Sequence, residues 1–447
     1  MKKATVASIL TFLAPLALVS FLPVLTFAGT AYVWQQRSIP NPLYSVALVG
    51  DGTEVIGGAA ANSSSGDYIY TSTNGGATWT ARTGSGQHFW VAIVASTDGS
   101  KIAALDGTWP TYTLYISTNG GTTWTPNSVS GVQDPGRTGI AMSSSGTEIA
   151  VAETGTTYSF TPPGGGYIYI STNDGASWAP ATAAGQHYWY SVAMSANGND
   201  LIAADGGDGY LYLSTNGGAS WTPLAGAGQH YWYSVAMSAD GSKIVAADYG
   251  QGYGGYLYVS TNGGSSWTAE TSLGQRDWDS VAISSDGSTI AATSYGTNPN
   301  YAGDYVYVSN NSGSTWTAES PPGIVSWWGK QVAVSPGGSV IAGGGGGYLW
   351  IRSIPPTCSV TLSPNPSAYA YSGTPVTLFW SSSNATEVYI NDVGWVNPSG
   401  STSVASLTST RVSGTLCKEV SVSLPRTGDS HDDQFDDYTG TTGSTSC

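Results

Sequence analysis

Charge is scarce in this chain, and positive charge is scarcest. Only 9% of its 447 residues are charged, and 13 basic residues face 28 acidic ones, giving a net charge of −15. Nucleic acids and anionic membrane surfaces need a positive field on their partner, so neither is expected to bind. Cysteine is absent from the first 357 residues, so the main body is not stapled by disulfides. Cys358 and Cys417 could pair in an oxidising compartment, leaving Cys447 over. No convincing helix is legible, and no Gly-x-Ser-x-Gly elbow in a strand-to-helix setting, which excludes an α/β-hydrolase triad. Disorder is excluded by what is present: 12% aromatic residues, 17 of them Trp, with 60 Gly. That composition reads as an all-β protein with many tight turns.

The one long apolar run lies at the start. Lys2 and Lys3 precede Ala4–Ala28, with small residues at Thr26-Phe27-Ala28. Residues 1–28 read as a signal peptide, which predicts a secreted or cell-surface protein. An uncleaved anchor is the alternative, made less comfortable by Pro15 and Pro23.

The rest of the chain repeats. Seven similar units are marked by turn glycines at Gly52, Gly99, Gly146, Gly198, Gly241, Gly287 and Gly338, spaced 43 to 52 residues apart. Each unit carries four short strand signals, a to d; in one of them these are Ser234-Val-Ala-Met, Lys243-Ile-Val-Ala, Tyr256-Leu-Tyr-Val and a strand starting at Trp267. Four-stranded units of roughly 40–50 residues are propeller blades. The last unit stops after strand c, while Tyr32-Val-Trp34 matches a strand d with nothing before it. The expected fold class is therefore all-β: a seven-bladed β-propeller over 32–353, closed by its N-terminal strand.

The c–d turns share a second signature, Ser-x-Asn-x-Gly-x-Ser/Thr-Trp. Its six copies carry Asn74 and Trp79, Asn119 and Trp124, Asn173 and Trp178, Asn216 and Trp221, Asn262 and Trp267, and Asn311 and Trp316. The pattern resembles the Asp-box of sialidase-like (BNR-repeat) propellers, with Asn in the Asp place. The resemblance implies a fold and no reaction, since Asp-box propellers include sialidases, xyloglucan-cleaving glycosidases, sortilin-like receptors and photosystem assembly factors. An Asn side chain can bond amides of its own turn, so these residues are expected to be turn locks.

Residues 357–425 change character. Strand signals at Ser359-Val-Thr-Leu, Pro375–Trp380, Glu387-Val-Tyr-Ile and Glu419–Leu424 predict a small β-sandwich. The stretch from Cys358 to Asn384 resembles bacterial immunoglobulin-like repeats, and a spacer role is expected. Residues 426–447 read as an acidic, disordered tail. Leu424-Pro-Arg-Thr-Gly428 matches a sortase pentapeptide but lacks the apolar span that should follow, and it reads as chance or a remnant.

Propeller topology puts the a–b and c–d turns on one face and the varied d–a and b–c loops on the other. Binding usually evolves on varied loops. The d–a loops supply His88, Trp90, His187, Trp189, His230, Trp232, Arg276, Trp278, Trp327 and Trp328; the b–c side adds Trp109, Tyr249 and Tyr253. These are the candidate ligand-binding residues, a polar and aromatic rim able to stack on sugar rings. Repetition of the Trp positions favours packing between blades, since a single site should break the symmetry, whereas for the b–c Tyr and Asp residues packing and binding are evenly matched. Asp205 and Asp248, at equivalent strand ends of adjacent units, are the candidate carboxyl pair for a glycosidase, and Asp277 and Asp279 could also contribute. Sialidase chemistry is disfavoured, because Arg37 sits on an outer strand. No metal or cofactor is expected, since His88, His187 and His230 diverge around the ring. The function predicted first is a binding or adhesion module for a polysaccharide or surface protein. A glycoside hydrolase comes second, and a structural or assembly protein third.

Overall fold

The structure, a computed structural model, describes residues 32–59, 66–108, 113–129, 139–155, 165–250, 254–295, 305–320, 331–345 and 348–353, together with strand backbone at 25–27 and in segments of 358–422. Val33–Ser353 form one compact unit. Seven antiparallel four-stranded sheets make up this unit, each in the spatial order a–b–c–d, and no α-helix occurs among the described residues. This is a seven-bladed β-propeller.

Blade 4 is representative, with strands Trp189–Met194, Leu201–Asp205, Leu211–Ser214 and Thr222–Pro223. Strand b is buried along its whole length in blade 4 and in its equivalents Ile102–Asp106 and Ile244–Asp248. It packs against the neighbouring blades on both faces, and so reads Leu-Ile-Ala-Ala rather than alternating. The core is a ring of inter-blade clusters, such as Ile202, Ala204 and Leu211 of blade 4 against Trp232, Val235 and Met237 of blade 5.

Ring closure follows the expected route. Val33–Arg37 lies antiparallel to Leu349–Ser353 as the outer strand of blade 7, with Trp34 opposite Arg352. Arg352, only 3% exposed, donates from both Nε and Nη2 to Glu319 on the outer strand of blade 6, at 2.7 Å each. Trp34 Nε1 donates to the same carboxylate at 2.8 Å. The N-terminal strand thus covers the edge of Tyr348–Ser353 and gives blade 7 the same four strands as the other six.

The second unit gathers residues 1–32 and 354–447. Its described backbone holds a four-stranded antiparallel sheet in the order Leu25–Phe27, Cys358–Asn365, Val376–Ser383, Ser399–Val404, and two two-stranded pairs, Val388–Ile390 with Gly394–Val396 and Thr410–Val412 with Val420–Val422. The residues 426–447 and Cys417 lie outside the described residues.

Candidate functional site

The six Asn turns are closed systems. In blade 5, Asn262 Oδ1 accepts the Ser260 hydroxyl at 3.0 Å and the Ser266 amide at 2.9 Å, while its Nδ2 donates to Ser266 Oγ at 2.8 Å. Gly264, at φ +83°, donates its amide to Ser260 Oγ at 2.9 Å. Asn74, Asn119, Asn173, Asn216 and Asn311 repeat the pattern. Trp124, Trp178, Trp221 and Trp267 each donate Nε1 to the carbonyl of the second box glycine, at 3.0–3.1 Å. The Asn side chain, the Ser hydroxyl and the glycine amide of each box are thus engaged within their own turn, as the turn-lock expectation requires. Arg37 likewise serves the ring, donating Nε to Gly75 O of the next blade at 3.0 Å.

On the opposite face the four repeated indoles are not a rim. Trp90, Trp189, Trp232 and Trp278 have 0% exposed surface, which corrects the expectation that they contact a ligand. Each lies edge-on to a tyrosine of its own strand c (Tyr115, Tyr212, Tyr258 or Tyr307), with centroids 5.0–5.3 Å apart. Packing accounts for their recurrence.

The histidines are junction pieces. His88, His187 and His230 make isolated β-bridges to Asp67, Gly166 and Gly209 of the preceding blade. A short 3-10 turn ending in glycine delivers each one; Gly86, at φ +77°, would place a Cβ 2.7 Å from His88 Nε2. Their Nδ1 atoms meet the Oδ2 atoms of Asp106, Asp205 and Asp248 at 2.8, 2.8 and 3.1 Å. The other oxygens of these carboxylates accept the amides of Thr108, Gly207 and Gly250 at 2.9, 3.0 and 2.9 Å. Asp205 and Asp248 are 5% and 6% exposed with both oxygens engaged, so neither is free to protonate a glycosidic oxygen or activate water. They are turn locks, which corrects the expectation of a catalytic pair. In blade 6 Arg276 replaces the histidine and lies over Tyr307, 4.9 Å from the ring centroid. No cluster of potential metal ligands occurs among the described residues. Trp109, Tyr253, Trp327 and Trp328 lie outside the described residues.

The seven-fold pattern breaks at the central channel, a cavity of about 290 Å³ lined by the strands a of all seven blades. Strand a carries a β-bulge at Tyr44, Val91, Tyr190, Tyr233 and Asp279, where one extra residue is inserted between the core position and the next ladder pair. All five bulged residues line the cavity. A bulge re-aims a side chain, and here it turns the channel mouth over to residues that vary from blade to blade. Below it runs a belt of inter-blade bonds: Ser45, Ser191, Ser234 and Ser280 accept the amides of Ile93, Val235, Val281 and Val332 of the following blades at 2.8–3.2 Å.

Around the mouth the chemistry is lopsided. Tyr190 and Tyr233 of adjacent blades meet edge to face at 5.6 Å, and Tyr233 stacks on Tyr249 at 5.0 Å with the rings 25° apart. Asp279 follows on blade 6 and is the only ionisable acid or base among the described lining residues other than the tyrosines. Across the channel stand Val91 and Gly139. Of the expected rim, only Tyr249 joins this arc. Tyr44, Tyr190 and Tyr233 were not anticipated. The bulge shows as a register shift between Trp189 and Ser191, after which Val192 faces the same cluster as Trp189. Beside the arc, burial pushes the Asp277 carboxyl up from its ordinary range, and its Oδ1 is buried without a hydrogen-bond partner.

Comparison with known proteins places this geometry in a family of shapes. A sequence model of the BNR/Asp-box repeat matches residues 115–126, which span the Asn119 turn of blade 2. No curated protein matches the chain in sequence. Among solved structures, a GH74 enzyme of Niastella koreensis is similar at 15% identity and a TM-score of 0.54, over 89% of this chain and 74% of that one. A GH74 xyloglucanase of Xanthomonas campestris is similar at 13% identity and a TM-score of 0.52, over 88% and 68%. YCF48 bound to D1 peptide is similar at 13% identity and a TM-score of 0.50, over 74% and 97%. At these identities the likeness is one of fold: the chain is a BNR/Asp-box-bearing seven-bladed propeller with the architecture of GH74 enzymes and of YCF48.

Proposed function

We propose that this protein is a binding module of the cell surface or secreted space, and that a neutral glycan docks at the channel mouth on the d–a and b–c face. One observation carries the reading: the tyrosine arc Tyr190–Tyr233–Tyr249 breaks the repeat where the box face keeps it. Flat aromatic faces stack on sugar rings, and hydroxyls of Tyr and Ser, the Gln331 amide and the Asp279 carboxylate exchange hydrogen bonds with sugar hydroxyls. A lining with one carboxylate and no cationic group among its described residues suits an uncharged ligand. In the same reading residues 1–28 export the chain, residues 357–425 form an immunoglobulin-like sandwich, and that sandwich spaces the propeller from its attachment.

Hydrolysis is the second reading. The likeness to GH74 enzymes supports it, as does the pair Asp277 and Asp279 on one bulged strand, where burial pushes the Asp277 carboxyl up from its ordinary range. A protein ligand is the third, supported by the peptide-bound YCF48 relative.

The test is binding of the propeller chain to a glycan panel, run beside a reducing-sugar assay. Tyr233→Ala should weaken binding by about 10-fold or more in a protein that still melts cooperatively, since one stacked aromatic contributes on the order of 1.5 kcal/mol. Sugar release abolished by Asp279→Asn would replace binding with hydrolysis, and failure of every glycan to bind would sink the glycan reading.

A further inference from the structure

We infer that the channel takes an N-acetylhexosamine unit, with its acetamido carbonyl held by the main-chain amides of Ile140 and Val192; the inference rests on the channel mouth being a glycan site. Strand a is the innermost strand of each blade. It bonds its own sheet through alternate residues, so the amides between them point off the sheet edge. Gly139 O accepts the Ala152 amide at 2.9 Å, which puts a ladder bond of blade 3 on Gly139 and leaves Ile140, opposite Val151, facing off the sheet. Val192 holds the same place in blade 4. The equivalent amides of Ile93, Val235, Val281 and Val332 each donate to a serine hydroxyl of the preceding blade.

For Ile140 and Val192 that serine is missing. Its place in the preceding blade is taken by Ala92 in blade 2 and by Gly139 in blade 3. Neither amide meets another acceptor among the described residues. Val46 of blade 1 also faces no serine, but there Gln331 fills the junction and accepts the Ser45 hydroxyl at 2.5 Å. Ile140 and Val192 are 9% and 4% exposed, so two donors on adjacent blades are shielded from bulk water without a protein partner. That carries a cost which a bound oxygen atom removes. A Cβ at Gly139 would stand 2.7 Å from Val192 N, so the glycine keeps this amide uncovered. Gly139, Ile140 and Val192 all line the channel cavity.

Two neighbouring amides select an oxygen acceptor. Carbonyl and carboxylate oxygens both qualify, and the rest of the lining chooses between them. Asp279 is a carboxylate, and no cationic group occurs among the described lining residues, which disfavours an anion. A neutral amide carbonyl remains. Its methyl group meets Val91 and Val94, half-buried aliphatic side chains on the blade before Gly139. On the blade after it, Tyr190 offers a ring for the sugar to stack on. An acetamido sugar is the glycan unit that joins a stacking ring to a carbonyl and a methyl group.

Titration of the full chain with N-acetylglucosamine and chitobiose, beside glucose and cellobiose, tests this. The N-acetylated member of each pair should bind about 10-fold tighter. Ala92→Ser supplies the Ile140 amide with the hydroxyl that the other blades provide. It should raise the melting temperature, cut the N-acetyl preference by about 5-fold and leave the glucose and cellobiose affinities unchanged. Gly139→Ala should remove the preference altogether; if that variant does not fold, Ala92→Ser decides alone. Equal affinities within each pair, or a preference that Ala92→Ser leaves intact, would overturn the inference and leave the channel site standing. So would glucuronic acid binding more tightly than N-acetylglucosamine, since the amides would then hold a carboxylate. Binding of no sugar, N-acetylated or plain, would overturn both.

Discussion

On the face that carries the a–b and c–d turns, local hydrogen bonds hold the turn aspartates Asp51, Asp98, Asp240 and Asp286 ionised, although burial pushes Asp200 of the same face up; on the opposite face, burial with no such bond pushes Asp277 up. The Ser96 hydroxyl, then the Ser100 hydroxyl and amide, hold the exposed Asp98 carboxyl at about 2. The Ser238 hydroxyl, followed by the Ser242 amide and hydroxyl, does the same for Asp240, also at about 2. At Asp277, burial alone acts, and it disfavours the charge. The first face closes every turn with local hydrogen bonds and repeats them. The second tolerates an unsatisfied acid, a cation over a ring and a lopsided channel mouth. Local satisfaction maintains a scaffold, whereas departures from it mark where the repeat has been released for other work.

The largest effect expected on that contrast lies in the core that both faces share. Trp232→Ala empties a fully buried indole site and should cost about 3–5 kcal/mol, read as a loss of midpoint in denaturant unfolding. The equivalent indoles differ in one bond. Trp90 Nε1 donates to Asp67 O at 2.8 Å, while Trp232 Nε1 has no partner. Trp90→Phe should therefore cost about 1 kcal/mol more than Trp232→Phe. Equal costs would mean that the junction between blades 1 and 2 gains nothing from that bond.

The box face offers a middle-sized test. Asn262→Ala removes the acceptor for the Ser266 amide and should cost about 1 kcal/mol, whereas Asn262→Asp keeps that acceptor and should be nearly neutral at pH 7. The same pair at Asn119 should give the same values, because the turns are local and far apart. Divergent costs at the two boxes would show that one box has a role beyond its turn.

These contrasts also mark how far the sequence could be read. The box locks and the blade count were legible because they rest on local contacts repeated with the blade, and the closing strand at Trp34 because the last repeat stops one strand short, although its partner lies at the far end of the propeller. The channel mouth was not, because a bulge moves Tyr190 and Tyr233 out of alternation with Trp189 and Trp232 without changing composition. The histidine junctions left a trace that was not used. His88 and Asp106, His187 and Asp205, and His230 and Asp248 are all 18 residues apart, and a fixed offset between two polar types in three units signals a pair. Assigning His to a ligand and Asp to catalysis split that pair.

The smallest effect is the one that separates the two faces by sign. Asp240 is protonated less readily folded than unfolded, where its pKa is near 3.9, so its contribution is complete above about pH 4 and is lost as pH falls toward 2. Asp240→Asn should lower the melting temperature at pH 7 and leave it unchanged near pH 2. Asp277 is protonated more readily folded than unfolded, so the wild type loses stability as pH rises from about 4 through its raised folded value. Asp277→Asn should raise the melting temperature at pH 7 to 8, with the gain shrinking as pH falls through the raised folded value and gone below the unfolded value near 3.9. Two melting curves that shift in the same direction across that range would mean that Asp277 finds a partner for its charge, and the contrast between the faces would then reduce to one of loop length.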